Sequence, residues 1–373
     1  MLIRPCKVQI FDTIMTLFVR KGGWYTRAFR LSSAIDAQHR QLVPGPAPSI
    51  PDSAPAGDVA AGHPVIDITM ENELDLGEMF FVWEFATAMA SALIGINAFD
   101  QPMLLRIALE LDLKKAMIGG VDRVYEIGRT FRNEGLDSTH AAEFSMLEAY
   151  QAYGDYNTMA ELTRTLVIES ARAVGRTVVA GRDGTEIDLE GPWRQATLFE
   201  LVSEALGEEV DVTTDQGTLT RYADRHGVEL QPHWNAGEVA LELYEKLVEH
   251  TLVQPTFVRD YPEAVRPLAK PHREHAGLVE AWDLIINGIE LAPAYSELND
   301  PVEQRRRLVE QSLRAAGGDP EAMQLDEDFL RAMEFGMPPQ GGMGLGIDRL
   351  IMLLTGKPIR ETIAFPLLKP ESR

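Results

Sequence analysis

An arginine, an aromatic residue and a carboxylate stand at strand spacing in the middle of the chain, at Arg132, Phe144 and Glu148. Two runs of strand-forming residues, 124–132 and 143–150, are joined by a polar loop, which predicts a two-stranded hairpin. Alternate side chains of a strand share a face, so Phe144 and Glu148 would point the same way, about 13 Å apart. Such a face can stack a base at one end and hold an ammonium group at the other, while a guanidinium beside it binds phosphate or carboxylate. A plain core hairpin with a solvated loop explains the spacing equally well.

Two acidic residues flank a second hairpin signal, Asn287-Gly288. In a two-residue hairpin at this dipeptide, Glu290 lies opposite Ile285, whose face Asp283 shares. The two carboxylates would then be diagonal neighbours, about 5 to 8 Å apart, and could hold Mg²⁺ against a triphosphate. Two buried carboxylates side by side are unfavourable without a cation. The alternative is that one of them is simply exposed at a sheet edge.

Further along the same strand, Tyr295 and Glu297 have the opposite parity to Glu290. They reach the same face only if the strand contains a bulge, which the proline-containing segment 292–294 predicts. A second acidic group beside Glu148 would suit a substrate with a remote ammonium. Each charge-assisted hydrogen bond of that kind contributes about 1.5–3 kcal/mol, enough to reject a neutral isostere.

A glycine-rich stretch, 341–346, is predicted to be a turn before an apolar helix over 347–354. Glycines let the backbone approach a ligand, and a helix N-terminus favours anions, so Arg349 in the first helical turn could meet a terminal phosphate. The stretch is not a P-loop, because no Gly-Lys-Ser/Thr follows it. A dinucleotide fold is not indicated either, because no clear strand precedes it.

Hairpins alternating with helices predict an α+β fold, an antiparallel sheet flanked by helices, over residues 96–373. Residues 176–250 have the pattern of a mixed insertion, with helices after 197 and 235. Residues 1–95 give no consistent pattern, and the Pro-rich stretch 44–64 predicts a linker.

Composition excludes several classes of protein. With 35 Lys and Arg against 57 Asp and Glu, the net charge of -22 repels bare phosphate and excludes DNA as an expected partner, while a local basic groove could still take one RNA end. The single Cys6 excludes an internal disulfide and fits a reducing, cytoplasmic location. The most apolar run, 79–96, is interrupted by Glu84 and is shorter than the about 20 residues of a membrane span, so a buried helix is favoured.

The motifs resemble, in order, those of class II aminoacyl-tRNA synthetases. Residues 129–135 (Arg-Thr-Phe-Arg-Asn-Glu-Gly), with His140 and Glu143-Phe144, resemble motif 2 of that class, and residues 344–349 (Gly-Leu-Gly-Ile-Asp-Arg) resemble motif 3. The run Tyr-Ser-Glu-Leu-Asn-Asp at 295–300 is specific to the lysyl-tRNA synthetase branch.

The resemblance runs from about Ile96 to Pro370. Over residues 250–350 the chain is similar to actinobacterial lysyl-tRNA synthetase-like domains, including those fused to lysyl-phosphatidylglycerol synthases. A fold of the class II synthetase type is therefore expected.

The resemblance implies an ATP-dependent ligase that activates lysine, or a lysine analogue, as its adenylate. The lysine carboxylate would attack the α-phosphate in line and release pyrophosphate, and the lysyl group would then pass to an acceptor. Arg132 and Arg349 would be the catalytic residues. The implied contacts are, with ATP, Arg132, Glu134, His140, Phe144 and Arg349; with Mg²⁺, Asp283 and Glu290; with the α-amino group, Glu110; and with the ε-ammonium end, Glu148, Tyr295 and Glu297.

Some residues depart from the family pattern. The family usually has His-Asn-Pro-Glu-Phe where residues 140–144 are His-Ala-Ala-Glu-Phe, and Pro293 stands where an Asn is expected near the amino-acid pocket. Motif 1, which builds the dimer interface, and the five-stranded anticodon-binding barrel are not recognisable upstream of Ile96. A homodimer is therefore expected from the resemblance alone, and tRNA is a candidate partner without an anticodon-binding domain.

Three functions fit these residues. The first is a lysine–tRNA ligase reduced to its catalytic domain. The second is an aminoacyl ligase whose acceptor is a protein, a carrier or a small molecule, which the acidic composition and the missing barrel favour. The third is a non-catalytic regulatory paralogue, which the retention of Arg132, Glu290 and Arg349 disfavours.

Overall fold

The computed structural model describes residues 105–132, 137–316 and 325–367, together with the backbone of 25–26, 93–96 and 101–104 and the isolated positions 10, 13 and 14. The predicted linker 44–64, most of the apolar run 79–96 and Glu134 lie outside the described residues. No helix within the described ranges is long and apolar enough to cross a membrane.

The described strands are β1 (Tyr25–Thr26), β2 (Leu93–Ile96), β3 (Gln101–Leu104), β4 (Arg123–Phe131), β5 (Glu143–Ala152), β6 (Val178–Ala180), β7 (Glu186–Asp188), β8 (Arg194–Thr197), β9 (Thr256–Pro262), β10 (Leu278–Ile286), β11 (Ile289–Ser296) and β12 (Gln340–Gly346). Eight of them form one sheet, in the order β1-β4-β5-β12-β11-β10-β9-β8. The six inner strands pair antiparallel, and the edge strands β1 and β8 pair parallel to their neighbours. The predicted α+β architecture with an antiparallel sheet is confirmed.

The described α-helices are α1 (Glu110–Ile118), α2 (Tyr156–Ala173), α3 (Leu198–Leu206), α4 (Gln216–His226), α5 (Ala236–Leu247), α6 (Pro301–Ala316), α7 (Glu327–Glu334), α8 (Ile347–Thr355) and α9 (Ile359–Thr362). Helices α3 and α5 begin at capping boxes, in which Thr197 and Asn235 accept from the backbone while a glutamate three residues later reaches back. Both helices lie in the predicted insertion 176–250, whose strand β8 joins the edge of the main sheet.

The core lies between the sheet and the helices α2 and α8. On β5, Leu147 and Ala149 are fully buried in this core, next to Leu345 of β12. Alternation along β5 therefore turns Phe144, Met146, Glu148 and Tyr150 to the opposite face of the sheet. That opposite face carries the candidate site.

The glycine-rich stretch is a central strand, not the predicted turn. Strand β12 lies between β5 and β11 and then leads directly into α8. Glycine is disfavoured in strands because it has no side chain to pack, so local propensity predicts a turn here. The pairing of β12 on both sides overrides that propensity, and the missing side chains leave room on one face of the sheet.

Candidate active site

Strand β12 forms the floor of the site. Gly344 pairs with Glu148, and Gly342 pairs with Tyr150, so these glycines face the same side of the sheet as the β5 side chains. A Cβ on Gly344 would have its nearest neighbours at 3.8–3.9 Å, so a methyl group fits there in ordinary van der Waals contact. A Cβ on Gly342 would overlap the Glu297 carboxylate and the Tyr150 ring, which pack directly over it.

A pocket of carboxylates lies at one end of this floor. Glu148 is buried, and its Oε1 accepts from the Leu109 N–H at 2.9 Å while its Oε2 accepts from the Tyr150 hydroxyl at 3.0 Å. The Lys114 ammonium lies 2.5 Å from Glu110 Oε1 and 2.5 Å from Glu297 Oε2. We refer to Glu110, Lys114, Glu148, Tyr150 and Glu297 as the acidic pocket.

Burial sets the protonation of the acidic pocket. Burial raises the pKa of Glu148 to about 7, and the neighbouring Glu110 raises it further while Arg132 opposes the shift. Burial also raises the pKa of Glu297 to about 8, against the opposing charge of Lys114. Both carboxyls therefore bind protons more strongly than an ordinary glutamate, and a further cation would favour their ionised forms. A ligand that carries ammonium groups would supply that cation.

Tyr295 reaches the same face because β11 contains a bulge. Leu284 pairs with Ala292 and Ile285 with Glu290, so Leu291 is the extra residue. The bulge lies one residue before the predicted segment 292–294, because the two-residue turn at 287–288 sets the first pairs and the shift follows at once. Glu290 and Tyr295 consequently share one face of the sheet.

A second acidic group lies on β10 and β11. Asp283 is buried, and its Oδ2 accepts from Arg266 at 2.5 Å. Its Oδ1 is buried without a hydrogen bond of good geometry, beside the Tyr261 hydroxyl. Burial raises the pKa of Asp283 to about 6; Arg266 opposes this shift and Glu290 adds to it. We call Asp283 and Glu290 the acidic pair.

A third carboxylate, Glu249, approaches the acidic pair from the turn after α5. Burial raises its pKa to about 7, and Glu290 and Asp283 raise it further while Arg349 opposes the shift. Carboxylates that raise one another's pKa, with a buried oxygen lacking a good donor, fit a bound cation. Within the described ranges no three acidic or histidine side chains converge to hold a metal by themselves, so a cation here would need ligand oxygens as well.

Arginines frame the other end of the floor. The Arg132 guanidinium lies 5.4 Å from the centre of the Phe144 ring, and its Nε donates to the Ile107 carbonyl. Arg349 donates to the Glu290 carbonyl at 2.7 Å and lies 3.3 Å from His140 Nε2. The guanidinium over the Phe144 ring is thus that of Arg132, whereas Arg349 bridges two elements beside it. The sandwich of a base between Phe144 and Arg349 stays a prediction.

Helix α8 is anchored against β5 by its first turn. Asp348 Oδ2 accepts from the Ser145 N–H at 2.7 Å, next to Phe144. The aliphatic part of Arg349 lies 3.4–3.6 Å from the position of a Cβ on Gly346. The side chain of Arg349 therefore packs against Gly346 at van der Waals distance.

Comparison with known proteins identifies the architecture. Residues 87–369 match the family of class II tRNA synthetases (D, K and N). The chain belongs to this family. The resemblance inferred from the motifs is confirmed.

Three similar relatives of this synthetase-like protein share one name, lysylphosphatidylglycerol biosynthesis bifunctional protein LysX. Those of Mycolicibacterium gilvum and Mycobacterium avium are 55% and 54% identical over 280 residues, and that of Mycobacterium leprae is 54% identical over 286 residues. The matches cover 74% of this chain and 24–25% of the relatives. The chain thus spans about a quarter of the length of the curated relatives it matches.

The sequence does not predict three residues of this synthetase site. Lys114 follows Glu110 at the i,i+4 spacing of a helical ion pair, and this spacing is the signal from which Lys114 could have been predicted as a partner of Glu110. Arg266 and Glu249 lie in connecting segments and have no spacing relation to Asp283. Only the tertiary fold brings these two to the acidic pair.

Proposed function

We propose that this protein activates lysine with ATP, forming lysyl-adenylate and pyrophosphate, and then transfers the lysyl group to an acceptor. The observation that carries the proposal is that two chemically different groups of side chains lie at opposite ends of strand β12, on the same face of the sheet. The acidic pocket at one end suits an amine-bearing amino acid, and Arg132, Phe144 and Arg349 at the other suit a nucleotide.

At the amino-acid end, Glu110 receives the α-amino group, and Glu148, Tyr295 and Glu297 hold the ε-ammonium end. Support comes from the charge of the pocket, which contains three carboxylates and one resident ammonium, Lys114. Fully ionised, this set is short of two positive charges, and lysine brings two ammonium groups. A neutral isostere leaves buried carboxyls without a partner, which opposes its binding.

At the nucleotide end, Phe144 and Arg349 enclose the adenine, with His140 and Glu134 beside the ATP. A lysine carboxylate oxygen forms the new bond to the α-phosphorus while the bond to the bridging oxygen breaks and pyrophosphate leaves. Arg132 stabilises the charge that builds on the α-phosphate, so positioning and electrostatics supply the catalysis.

Asp283 and Glu290 would hold Mg²⁺, which would neutralise charge on the departing pyrophosphate. Support comes from the incompletely bonded Asp283 Oδ1 and from the mutual repulsion of the acidic pair. Arg266 orients Asp283 through its Oδ2 and leaves Oδ1 for the ion.

The decisive experiment is lysine-dependent exchange of labelled pyrophosphate into ATP. We expect exchange with lysine and little with methionine or norleucine, which lack the remote ammonium. Exchange with none of the twenty amino acids would contradict the proposal and favour the regulatory paralogue.

For the acceptor, we propose tRNA, since the family is that of tRNA synthetases. A second candidate comes from the relatives, which are named for lysylphosphatidylglycerol biosynthesis. Incubating the protein with labelled lysine, ATP and either total tRNA or phosphatidylglycerol vesicles separates the two. If neither acceptor becomes labelled, the acceptor would be a protein, a carrier or a small molecule. We also propose a homodimer, on family grounds alone, which light scattering tests.

A further inference from the structure

Lys114 is a buried cation with partners on two separate elements. Its side chain is 1% exposed, as is that of Glu297, whereas Glu110 is 22% exposed. Glu110 stands one helical turn before Lys114 on α1, and Glu297 follows the end of β11. The ammonium of Lys114 therefore joins helix α1 to the end of strand β11 within the acidic pocket.

The two carboxylates favour the charged form of Lys114. Burial by itself lowers the pKa of this ammonium, but Glu110 and Glu297 reverse that effect and raise the pKa above its ordinary value. Because the ammonium is almost wholly covered, it is not offered to an incoming ligand. Its action on a ligand must pass through the two carboxylates that it holds.

We propose that Lys114 is a positioning residue that determines specificity: by pairing with Glu110 and Glu297 together, it fixes their separation and so selects the length of the diamino acid. This inference rests on the proposed function, in which Glu110 receives the α-amino group and Glu297 the side-chain ammonium. Lys114 does not touch the substrate. It acts by holding both recognition groups at one distance, as the geometry of a buried ion pair requires.

The charged surroundings of Glu297 give this role a distinct signature. Lys114 and Glu110 face it from α1, Glu148 and Tyr150 face it from β5, and Lys114 is the cation among them. Removing that cation leaves Glu297 beside two other carboxylates, so its pKa rises further and it holds its proton over a wider range of pH than in the wild type. A protonated Glu297 cannot pair with an ammonium. Lysine binding should then be weak at neutral pH and recover as the pH rises.

The test compares Lys114→Met, Lys114→Arg and Lys246→Met. The matched control Lys246 forms an i,i+4 pair with Glu242 on α5 but is 60% exposed. For each protein, lysine and ornithine are compared by ligand-induced thermal stabilisation and by pyrophosphate exchange, between about pH 6 and pH 8. Thermal stabilisation reports binding without any reaction.

We expect Lys114→Met to lose about tenfold or more of the preference for lysine over ornithine, through KM and not kcat, since one methylene is worth about 10–200-fold in a fitted pocket. Its KM for lysine should fall more steeply with rising pH than that of the wild type. Lys114→Arg keeps the charge, so its pH profile should stay normal while its length preference changes because guanidinium holds carboxylates differently. Lys246→Met should match the wild type.

The proposal is overturned if folded Lys114→Met keeps the wild-type ratio and pH profile. If Lys114→Met does not fold, an unchanged lysine-to-ornithine ratio in Lys114→Arg overturns it instead. If the wild type neither binds lysine nor exchanges with it, the proposed function itself has failed. If the wild type binds lysine and the Lys114 variants behave like the wild type, only the proposed role of Lys114 is overturned.

Discussion

At the scale of single residues, the carboxylates of the acidic pocket are held in place before any ligand arrives. Glu148 accepts from the Leu109 N–H and the Tyr150 hydroxyl, so both of its oxygens are oriented. Burial of this oriented carboxyl raises its pKa to about 7. Orientation and proton affinity together mean that a nearby ammonium would stabilise the ionised form of Glu148.

Lysine should therefore compete with a proton at Glu148. The raised pKa of about 7 means that the carboxyl is largely protonated below pH 7 and ionised above it. We expect the KM for lysine to fall as the pH rises from about 6 to about 8, within which the ligand's ε-ammonium stays charged. Glu148→Gln should raise KM about tenfold or more and reduce that slope, measured by pyrophosphate exchange. A wild-type KM that rises over this window would contradict the assignment.

Arg132 should contribute mainly to the rate of adenylate formation. Arg132→Ala is expected to lower kcat of exchange by about 10²–10³-fold, because a preorganised donor to developing charge is lost. Arg132→Lys should recover only part, since an ammonium cannot form a two-pronged contact. The exposed Arg172, paired with Glu169 and Glu190, supplies the control Arg172→Ala. Equal rates for both alanine variants would remove Arg132 from the mechanism.

At the scale of elements, the floor of the candidate site is a strand with glycines on the face that carries Glu148 and Tyr150. Strand β12 is paired with β5 on one edge and β11 on the other, so the positions of its glycines are fixed within the sheet. Gly342 accommodates the close packing of Glu297 and Tyr150, whereas a methyl group at Gly344 would make only ordinary van der Waals contacts. The packing therefore requires glycine at position 342 but not at position 344.

Two alanine substitutions on β12 should separate these effects. Gly344→Ala fits without collision, so we expect an unchanged Tm and a kcat/KM for lysine activation lowered about tenfold. Gly342→Ala displaces Glu297 and the Tyr150 ring, so we expect a loss of about 1–3 kcal/mol in the free energy of unfolding. Thermal melts and exchange kinetics check both. Full activity of Gly344→Ala would show that no ligand lies above this residue.

The hairpin of β10 and β11 should determine the magnesium requirement. Asp283→Asn keeps the shape of the side chain and removes a charge from the acidic pair, so about tenfold more Mg²⁺ should be needed for half-maximal exchange. The measurement is exchange rate against free Mg²⁺ at fixed ATP. Asp183→Asn, on the exposed turn between β6 and β7, is the control. An unchanged Mg²⁺ dependence in Asp283→Asn would show that Asp283 does not hold the ion.

At the scale of the whole molecule, the buried carboxyls of the candidate site lower the stability of the fold as the pH rises. Burial raises the pKa of Glu148 and Glu249 to about 7, of Glu297 to about 8 and of Asp283 to about 6. These groups stabilise the fold when protonated and lose that contribution as the pH rises through their folded values. Carboxyls with depressed pKa values, such as Glu303 at about 2, act at lower pH and do not cancel the effect.

The ligand-free protein should consequently be less stable at about pH 8 than at about pH 5.5. Lysine should restore stability at the higher pH, because its ammonium groups replace the lost protons in the acidic pocket. Urea unfolding at both pH values, with and without lysine, measures this directly. Equal or greater stability at the higher pH without ligand would show that the buried carboxyls are already compensated.

Much of the fold was predictable because its signals are local. The hairpins at 124–150 and 282–291, and the helix caps at Thr197 and Asn235, depend on residues a few positions apart. The prediction of a turn at 341–346 is wrong because glycine propensity is a local signal. The strand character of β12 comes from its pairing with β5 and β11.

The sequence by itself determined the family, the antiparallel hairpins and the alternation that turns Glu148 to one face and Leu147 to the other. Only the tertiary structure decided which charges meet: Lys114 with Glu297, Arg266 with Asp283, and Glu249 with the acidic pair. The physical reason is that alternation and capping act between neighbours in the chain. A buried charge is satisfied by partners from any element, and no spacing along the chain encodes that choice.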